Sequence, residues 1–404
     1  MPRRTKILAT PGPATHDEAG IRGLILAGVN VFRLNFSHGS AAEHSMRAAM
    51  IREIALELKM PVGILCDMQG PKIRIGSFLN DMKIDLLEND NFVLNSQIDV
   101  DSGDQNGVHI DSDLLNDIDA GDTLLLDDGK MTFIVESRNP HSVTCRVIQG
   151  GVLSSKKGVN KFGGGLSAPA LTEKDKADIK TAASLKTDYL AISFVRSRDD
   201  IEETRELLVA AGSGAHIIAK IERAEAITDE FLPGIIASAD GVMVARGDLG
   251  VEIGDANLVA VQKQLIEAAN AANKVVITAT QMMESMITAS TPTRAEVFDV
   301  ANAVLDGTDA VMLSAETAVG KYPIETVKAM VRIIEGAELH PLAQRSKHRI
   351  DQTFASIDES LALAAMYVAN HLEGVKAVIC MTATGFAPLI MSRITSSLPI
   401  YAMA

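Results

Sequence analysis

The side chains best suited to chemistry lie in two short segments near the middle of the chain, Lys220–Glu222 (KIE) and Arg246–Asp248 (RGD). Each segment follows an apolar run, so its cation and its carboxylate are predicted to lie at the end of a buried strand. Two carboxylates from neighbouring strands can bind a hard divalent ion that keeps several waters. Lys220 faces the same side as Glu222, because strand side chains alternate with period two. The pattern therefore predicts a metal and a lysine that stabilise negative charge developing on oxygen.

The elements that must position these residues alternate between apolar strand-like runs and segments of helical period. Capping boxes, Ser40 with Glu43 and Thr293 with Glu296, mark two helix starts. Strands are predicted near 6–10, 30–36, 62–68, 189–194, 216–222, 241–248, 274–280 and 308–314. Helices are predicted near 17–27, 41–59, 172–186, 198–211, 224–232, 257–272, 293–305 and 322–338. This alternation predicts an α/β fold, a (β/α)8 TIM barrel with its site at the carboxyl ends of the strands.

Two regions depart from the barrel pattern. Residues 70–165 carry alternating β-type runs separated by turn signals such as Asp127–Gly129, which predicts a small inserted all-β lid domain. Residues 341–404 hold two predicted helices (358–373, 386–396) and two short strands (377–381, 399–401), an incomplete α/β domain that we interpret as truncated, since a parallel sheet needs both faces covered. The predicted barrel domain is thus 1–69 together with 166–340.

Further polar residues follow the predicted strands. They are Arg33, Asn35, Ser37 and His38 after the second strand, Asp67, Lys72 and Arg74 after the third, Thr280 after the seventh, and Lys157 in the insertion. Taken alone, those after the second strand are best explained as a polar cap, the threonine as a local backbone hydrogen bonder and the lysine in the insertion as part of a solvated face. An anion site and a solvated turn explain those after the third strand about equally well. Taken together, the cations form a positive rim in an acidic protein. With Glu222 and Asp248 they predict a metal-dependent site for a phosphorylated anion.

Composition narrows the functional classes. The chain has 404 residues, 47% of them hydrophobic, and a formal charge of −14, which argues against nucleic acid or an anionic membrane as a partner. The cysteines, Cys66, Cys145 and Cys380, are far apart without metal-ligand spacing, which indicates a reducing, cytoplasmic setting. No apolar run approaches the roughly 18 residues of a membrane helix. The P-loop and protein-kinase motifs are absent.

Several strings together resemble the pyruvate kinase family, in order and spacing over nearly the whole chain. They are Arg33–Gly39 (RLNFSHG), Gly70–Arg74 (GPKIR), Leu125–Gly129 (LLDDG), Ser155–Asn160 (SKKGVN), Lys220–Glu222 (KIE), Val244–Gly250 (VARGDLG), Thr278–Met286 (TATQMMESM) and Pro292–Thr317 (PTRAEVFDVANAVLDGTDAVMLSAET). The resemblance implies phosphoryl transfer from phosphoenolpyruvate to ADP, giving pyruvate and ATP. It also implies a homotetramer and an allosteric C-terminal domain, whose effector loop corresponds to Thr382–Phe386.

The resemblance also implies roles for individual residues. Glu222 and Asp248 bind Mg²⁺ or Mn²⁺, and Lys220 stabilises the phosphoryl group and the enolate. Substrate contacts come from Arg33, Gly247, Asp248 and Thr280, with Arg33 on the phosphoryl group and Gly247 and Thr280 on the carboxylate. Thr280 also belongs to the network that protonates the enolate. Nucleotide contacts come from Asn35, His38, Arg74 and Lys157.

One position departs from the pattern of most relatives. They bind K⁺ near Asn35, Ser37 and Asp67, and they typically carry Glu where this chain has Lys72. A fixed ammonium can supply the charge that K⁺ would bring and would repel a nearby cation. We therefore predict an enzyme that does not require K⁺.

Two other functions remain compatible with the residues. A barrel lyase or aldolase acting on pyruvate or an enolate would use the same two carboxylates and Lys220, but would not need the insertion or Lys157. A catalytically dead, truncated assembly partner is also possible, although the named catalytic positions are all retained.

Overall fold

The computed structural model describes residues 3–344, 354 and 356–403. In chain order its strands are β1 (Lys6–Ala9), β2 (Val31–Asn35), β3 (Gly63–Asp67), β4 (Ile84–Leu86), β5 (Asn91–Asn95), β6 (Gly107–His109), β7 (Thr123–Leu126), β8 (Met131–Asn139), β9 (Ser142–Gln149), β10 (Gly151–Leu153), β11 (Val159–Lys161), β12 (Tyr189–Ile192), β13 (His216–Ile221), β14 (Gly241–Ala245), β15 (Val275–Ala279), β16 (Ala310–Leu313), β17 (Val378–Met381) and β18 (Ile400–Met403).

The α-helices are α1 (Glu18–Ala27), α2 (Ala41–Leu58), α3 (Ser112–Leu115), α4 (Glu173–Ser184), α5 (Arg198–Ala210), α6 (Leu232–Ser238), α7 (Arg246–Ile253), α8 (Asp255–Ala271), α9 (Arg294–Asp306), α10 (Ala315–Ala318), α11 (Pro323–Glu338), α12 (Ile357–His371) and α13 (Phe386–Ser392). None of these helices combines the length and apolar character that a membrane crossing requires.

Eight strands close into a barrel in the order β1-β16-β15-β14-β13-β12-β3-β2, which confirms the predicted fold class. The sequence makes these strands mostly apolar; every residue of β14, for example, is buried. Such strands suit a sheet that is covered on both faces. Helices follow the strands, and the predicted capping box at α9 is present, with Thr293 accepting from the Glu296 amide.

The chain forms two compact units. The first is Met1–Leu34, Ala42–Leu65 and Lys263–Ala404, and it carries β1, β15 and β16. The second is Asn35–Ala41 and Cys66–Gln262, and it carries β12, β13 and β14 together with the segment between β3 and β12.

Within the second unit, the segment between β3 and β12 is rich in antiparallel strands, as its alternating pattern predicts. A six-stranded sheet has the order β11-β7-β8-β9-β5-β6, and β4 pairs with β10 in a separate ribbon. Its core contains Phe78, Phe92 and Phe133, with the rings of Phe92 and Phe133 edge-on at 5.9 Å. This segment has an apolar core of its own.

The described part of the C-terminal region belongs to the first unit. Helix α12 packs on α13 through Ala362, Met366 and Ile390, and β17 pairs with β18 in parallel. Arg393, just after α13, donates to both carboxylate oxygens of Asp309 and to the Lys274 carbonyl at 3.1 Å. Asp309 precedes β16 and also accepts from the Val276 amide of β15 at 2.9 Å. Residues 345–353, which fall within the predicted domain 341–404, lie outside the described residues.

Two predicted elements are wrong in detail. Arg246–Asp248 does not end a strand: β14 stops at Ala245, and Asp248 lies in the first turn of α7. The predicted helix 224–232 is a 3₁₀ turn at Glu225–Ile227 followed by α6, which begins at Leu232. Pro233 explains that start, because proline lacks an amide hydrogen and is tolerated in the first turn of a helix but not in its interior.

Candidate active site

Lys220 and Glu222, on and just after β13, form the centre of the site in the second unit. The ammonium of Lys220 is 2.9 Å from Glu222 Oε1 and 3.2 Å from Asp67 Oδ1. It also donates to Ser193 Oγ at 2.6 Å. The carboxylates of Asp67 and Glu222 are 1% and 2% exposed. The period-two argument therefore placed Lys220 and Glu222 correctly on one face of the strand.

Asp248 is close enough to Glu222 to affect its ionisation. Burial raises the pKa of Glu222, the ammonium of Lys220 opposes that rise, and the charge of Asp248 adds to it. A buried carboxylate beside a second carboxylate is a donor set that fits a divalent cation, which would relieve both the desolvation and the repulsion. Among the described residues, no group of three or more His, Cys, Asp or Glu side chains is arranged to hold a metal.

Lys72 contributes a second ammonium to this cluster. Its Nζ is 3.5 Å from Asp248 Oδ1 and 3.5 Å from Asp128 Oδ1, in the turn between β7 and β8. Its described partners are thus Asp248 and Asp128. The Asn35–Ser37 segment is contacted instead by Lys174, whose ammonium donates to the Phe36 carbonyl at 2.7 Å.

The end of β2 and the loop after it form a compact turn. The Asn35 side chain accepts from the Ser37 amide at 3.1 Å, and the Asn35 carbonyl accepts from the His38 amide at 3.3 Å. The Phe36 amide donates to the Asp67 carbonyl at 2.9 Å. The structure therefore brings Asn35, Ser37 and His38 into one loop joined to the end of β3.

The predicted nucleotide cations lie together inside the antiparallel region. Arg74 donates to the Lys156 carbonyl at 2.8 Å and pairs as a β-bridge with Gly158. Lys157 Nζ is 2.6 Å from Asp127 Oδ1. Burial opposes ionisation of Asp127, but hydrogen bonds from Lys157 and Lys130 outweigh it and hold the pKa of the carboxyl below its usual range. Asp127, in the turn between β7 and β8, is thus a counter-charge for Lys157.

Arg33 and Thr280 belong to the first unit. Arg33, on β2, donates to Thr10 Oγ1 at 3.3 Å. Thr280 follows β15 with a positive φ of 69°, and its hydroxyl donates to the Ala279 carbonyl at 2.7 Å. Positive φ is costly for a β-branched residue and, where it persists, clusters at functional positions.

Sequence reasoning missed the residues around the loop that leads from β11, the last strand of the antiparallel region, to α4. Gly163, Gly164 and Gly165 all have positive φ, between 80° and 91°. Arg223 donates to the Leu166 carbonyl at 2.6 Å, and the Glu252 carbonyl accepts from the Gly163 amide at 2.9 Å. The run of three glycines was the available signal, because such freedom at φ > 0 is specific to glycine.

Glu252 is also an unusual acid. It is 4% exposed, and its carboxylate accepts from the Ala224 amide at 2.8 Å. Burial raises the pKa of Glu252 to about 7; the Ala224 hydrogen bond opposes this rise, Glu225 adds to it, and Arg223 and Asn160 oppose it.

The fold and this cluster define a class: a barrel enzyme with a buried lysine beside carboxylates just past the carboxyl ends of its strands. The chain matches the family model "Pyruvate kinase, barrel domain" over residues 2–327 and "Pyruvate kinase, alpha/beta domain" over 359–404. The chain belongs to the pyruvate kinase family.

Known pyruvate kinases match this chain along its full length. The chain is 54% identical to a pyruvate kinase of Haemophilus influenzae and 55% identical to pyruvate kinase II of Salmonella typhimurium, in both cases over 404 residues that cover 100% of this chain and 84% of the relative. A crystal structure of a pyruvate kinase from Cryptosporidium parvum superposes with a TM-score of 0.92 at 33% identity, covering 99% of this chain and 83% of that one.

The enzyme is therefore a phosphotransferase that moves the phosphoryl group of phosphoenolpyruvate to ADP, giving pyruvate and ATP in glycolysis. It belongs to a metal-dependent family. The resemblance drawn from the sequence strings is confirmed.

Proposed function

We propose that Glu222 and Asp248 are the protein ligands of the catalytic divalent cation, Mg²⁺ or Mn²⁺. Support comes from the burial of Glu222 beside Asp248 and from the oxygen-only donor set. When bound, the cation supplies positive charge to oxygens of the substrate and the phosphoryl group. Lys72 lies against Asp248, so this ammonium must move or share Asp248 when the cation binds.

Lys220 is the residue that stabilises charge during transfer. Its ammonium is held by Asp67, Glu222 and Ser193, so its position is set before substrate arrives. Phosphoryl transfer depends mostly on such positioning and on fixed positive charge, and no protein nucleophile is needed. The same ammonium stabilises the enolate that remains after the phosphoryl group leaves.

Arg33, Gly247 and Thr280 complete the substrate contacts. The guanidinium of Arg33 binds the phosphoryl group, for which its fork of donors is suited. Gly247 lies in the first turn of α7, where amide groups point out of the helix start toward an anion. Thr280 binds the substrate carboxylate and belongs to the network that returns a proton to the enolate carbon.

The nucleotide is bound by Asn35, His38, Arg74 and Lys157, with the segment 70–165 acting as a lid over a barrel of 1–69 and 166–340. Arg74 and Lys157 lie in this segment, so nucleotide binding and closure would be one event. The three glycines at 163–165 supply a pivot. Small-angle scattering with and without Mg²⁺–ADP tests this, and an unchanged profile would remove the lid from the mechanism.

The enzyme does not require K⁺. Lys72 carries a positive charge beside Asp128 and Asp248, and this charge takes the place of the one that K⁺ would bring to the site. We expect full activity in Tris or sodium buffer and a new K⁺ requirement in Lys72→Glu, with Lys72→Gln as the matched neutral variant. Strong activation of the unmodified enzyme by K⁺ at constant ionic strength would refute this role.

The working form is a cytoplasmic homotetramer in which residues 341–404 contribute to regulation through the loop 382–386. The cytoplasmic setting rests on the reaction and on three free, buried cysteines. Sedimentation over a range of concentrations measures the assembly.

The observation that carries the catalytic assignment is the buried ammonium of Lys220 between Glu222 and Asp67 at the end of β13. A coupled assay for pyruvate and ATP, with Mg²⁺, phosphoenolpyruvate and ADP, tests it on the purified chain. Formation of ATP that depends on ADP separates this function from a lyase or an inert assembly partner. Absence of ATP formation with each substrate saturating would refute it.

A further inference from the structure

The two residues that follow β12 contact both catalytic side chains of β13. Ser193 and Phe194 are 1% and 7% exposed, and they come from the neighbouring strand of the barrel. One contacts the ammonium of Lys220 and the other the carboxylate of Glu222. We propose that the dipeptide Ser193–Phe194 is a positioning element that fixes Lys220 through a hydroxyl and Glu222 through a backbone amide.

The Ser193 hydroxyl has a defined orientation. Its Oγ donates to the Met68 carbonyl at 2.8 Å, which uses its one proton. Its lone pairs are therefore available to the Lys220 ammonium, which donates at 2.6 Å. A lysine side chain has many rotamers, so an anchor of this kind restricts the positions that the ammonium takes before substrate binds.

The Phe194 amide acts on the other catalytic residue. It donates to Glu222 Oε2 at 2.7 Å, while Lys220 Nζ lies 2.9 Å from Glu222 Oε1. Each oxygen of the buried carboxylate therefore has a donor, and the plane of the carboxylate is set. This is the arrangement expected for a group that must present an oxygen in a fixed direction.

Phe194 has a left-handed φ of 56°, a conformation that is costly for a non-glycine residue. Packing on two sides maintains it. The Arg223 guanidinium lies 5.6 Å from the centre of the Phe194 ring, and a Cβ added at Gly70 would come within 2.9 Å of that ring and 2.8 Å of Ser193 Cβ. Gly70 therefore provides the space in which the dipeptide sits.

A purely structural explanation is that Ser193 only satisfies the buried Met68 carbonyl. The two explanations differ in how Ser193 and Lys220 combine. If Ser193 acts through Lys220, its hydroxyl has nothing to position once the ammonium is gone. Effects of residues that act through one another are non-additive, and a double-mutant cycle measures this directly.

The experiment compares Ser193→Ala in two backgrounds, the unmodified enzyme and Lys220→Met. We expect kcat to fall about tenfold in the unmodified enzyme, the scale of one lost hydrogen bond to a charged group. In Lys220→Met the same change should alter kcat by less than about twofold. KM for ADP and the affinity for Mn²⁺, measured by paramagnetic resonance of the free ion, should stay within about twofold, because Ser193 contacts neither.

Two further variants keep the test decisive. Ser184→Ala is the matched control: Ser184 is exposed and also donates to a backbone carbonyl, that of Thr181 at 2.7 Å, and it should change nothing in either background. If Ser193→Ala fails to fold, Ser193→Cys keeps a side chain of similar size with a weaker acceptor for the Lys220 ammonium, and the same non-additive loss is expected. An equal loss of kcat in both backgrounds, or no loss in the unmodified enzyme, would overturn the role of Ser193.

The second half of the proposal has its own test. Phe194→Gly keeps the amide that contacts Glu222 and accepts φ of 56° without strain. Phe194→Val also removes the ring but is strained at this φ. We expect Phe194→Gly to bind Mn²⁺ at least about fivefold more tightly than Phe194→Val. Equal affinities, or tighter binding by Phe194→Val, would mean that the backbone conformation at residue 194 does not hold Glu222 in place.

Discussion

Replacing Glu252 by Gln should make the stability of the enzyme less sensitive to pH. The pKa of Glu252 is about 7, against an ordinary value of 4.5, because the carboxyl is buried. Between these pH values the folded chain keeps the proton and the unfolded chain releases it. The unfolded state therefore binds fewer protons, and stability falls as pH rises from 4.5 to about 7, with no further loss above that.

The size of the effect follows from the same two values. The interval from 4.5 to about 7 corresponds to about 3 kcal/mol at most. Glu252→Gln removes the buried charge and leaves an acceptor for the Ala224 amide. At pH 8.5 the variant should be the more stable of the two by up to this amount, a rise in Tm of about 6–12 °C for a unit of this size. At pH 5 the two proteins should be nearly equal.

The assay is thermal unfolding of both proteins at matched ionic strength from pH 5 to 8.5. Glu230→Gln, the same change at an exposed position, controls for the substitution itself. The quantity that matters is the gap in Tm between variant and unmodified enzyme. A gap that stays constant with pH, or a variant less stable at pH 8.5, would refute the buried-charge explanation.

Other outcomes follow from the site and the C-terminal contact. Lys220→Met should leave the fold and Mn²⁺ affinity intact while turnover falls by at least about 10²-fold, and near-normal turnover would remove Lys220 from the mechanism. Asp248→Asn should weaken Mn²⁺ binding measured by titration, and an unchanged affinity would place the cation elsewhere. Arg393→Ala leaves Asp309 without its guanidinium and should destabilise the contact between α13 and β16 by about 3 kcal/mol, seen as faster proteolysis after residue 340; unchanged cleavage would contradict this.

Much of the fold could be predicted because the barrel strands are mostly apolar runs that alternate with segments of helical period. Lys220 and Glu222 were paired correctly by alternation alone. Asp248 was predicted at the end of a strand, whereas it lies in α7. No side chain caps the start of α7, so nothing in the local sequence marks the change from strand to helix after Ala245. Local pattern therefore singled out Asp248 but assigned it to the wrong element.

The rest of the site depends on contacts that sequence pattern does not encode. Ser193 matters because β12 lies beside β13 and brings its hydroxyl to Lys220. The left-handed φ of Phe194 contradicts the usual preference of phenylalanine, and only packing explains it. Lys72 pairs with Asp128 and Asp248, which lie 56 and 176 residues further along the chain. Such pairings follow from the tertiary fold.

The attachment of Arg393 to Asp309 has a consequence for how this enzyme can diverge. Asp309 and Val276 lie where β16 and β15 begin, whereas Thr280 lies just past the other end of β15. About four residues of strand, roughly 13 Å, separate Val276 from Thr280. Substitutions around the Arg393 contact therefore fall at the end of β15 that is remote from Thr280. The two ends of this strand can change independently as the sequence diverges.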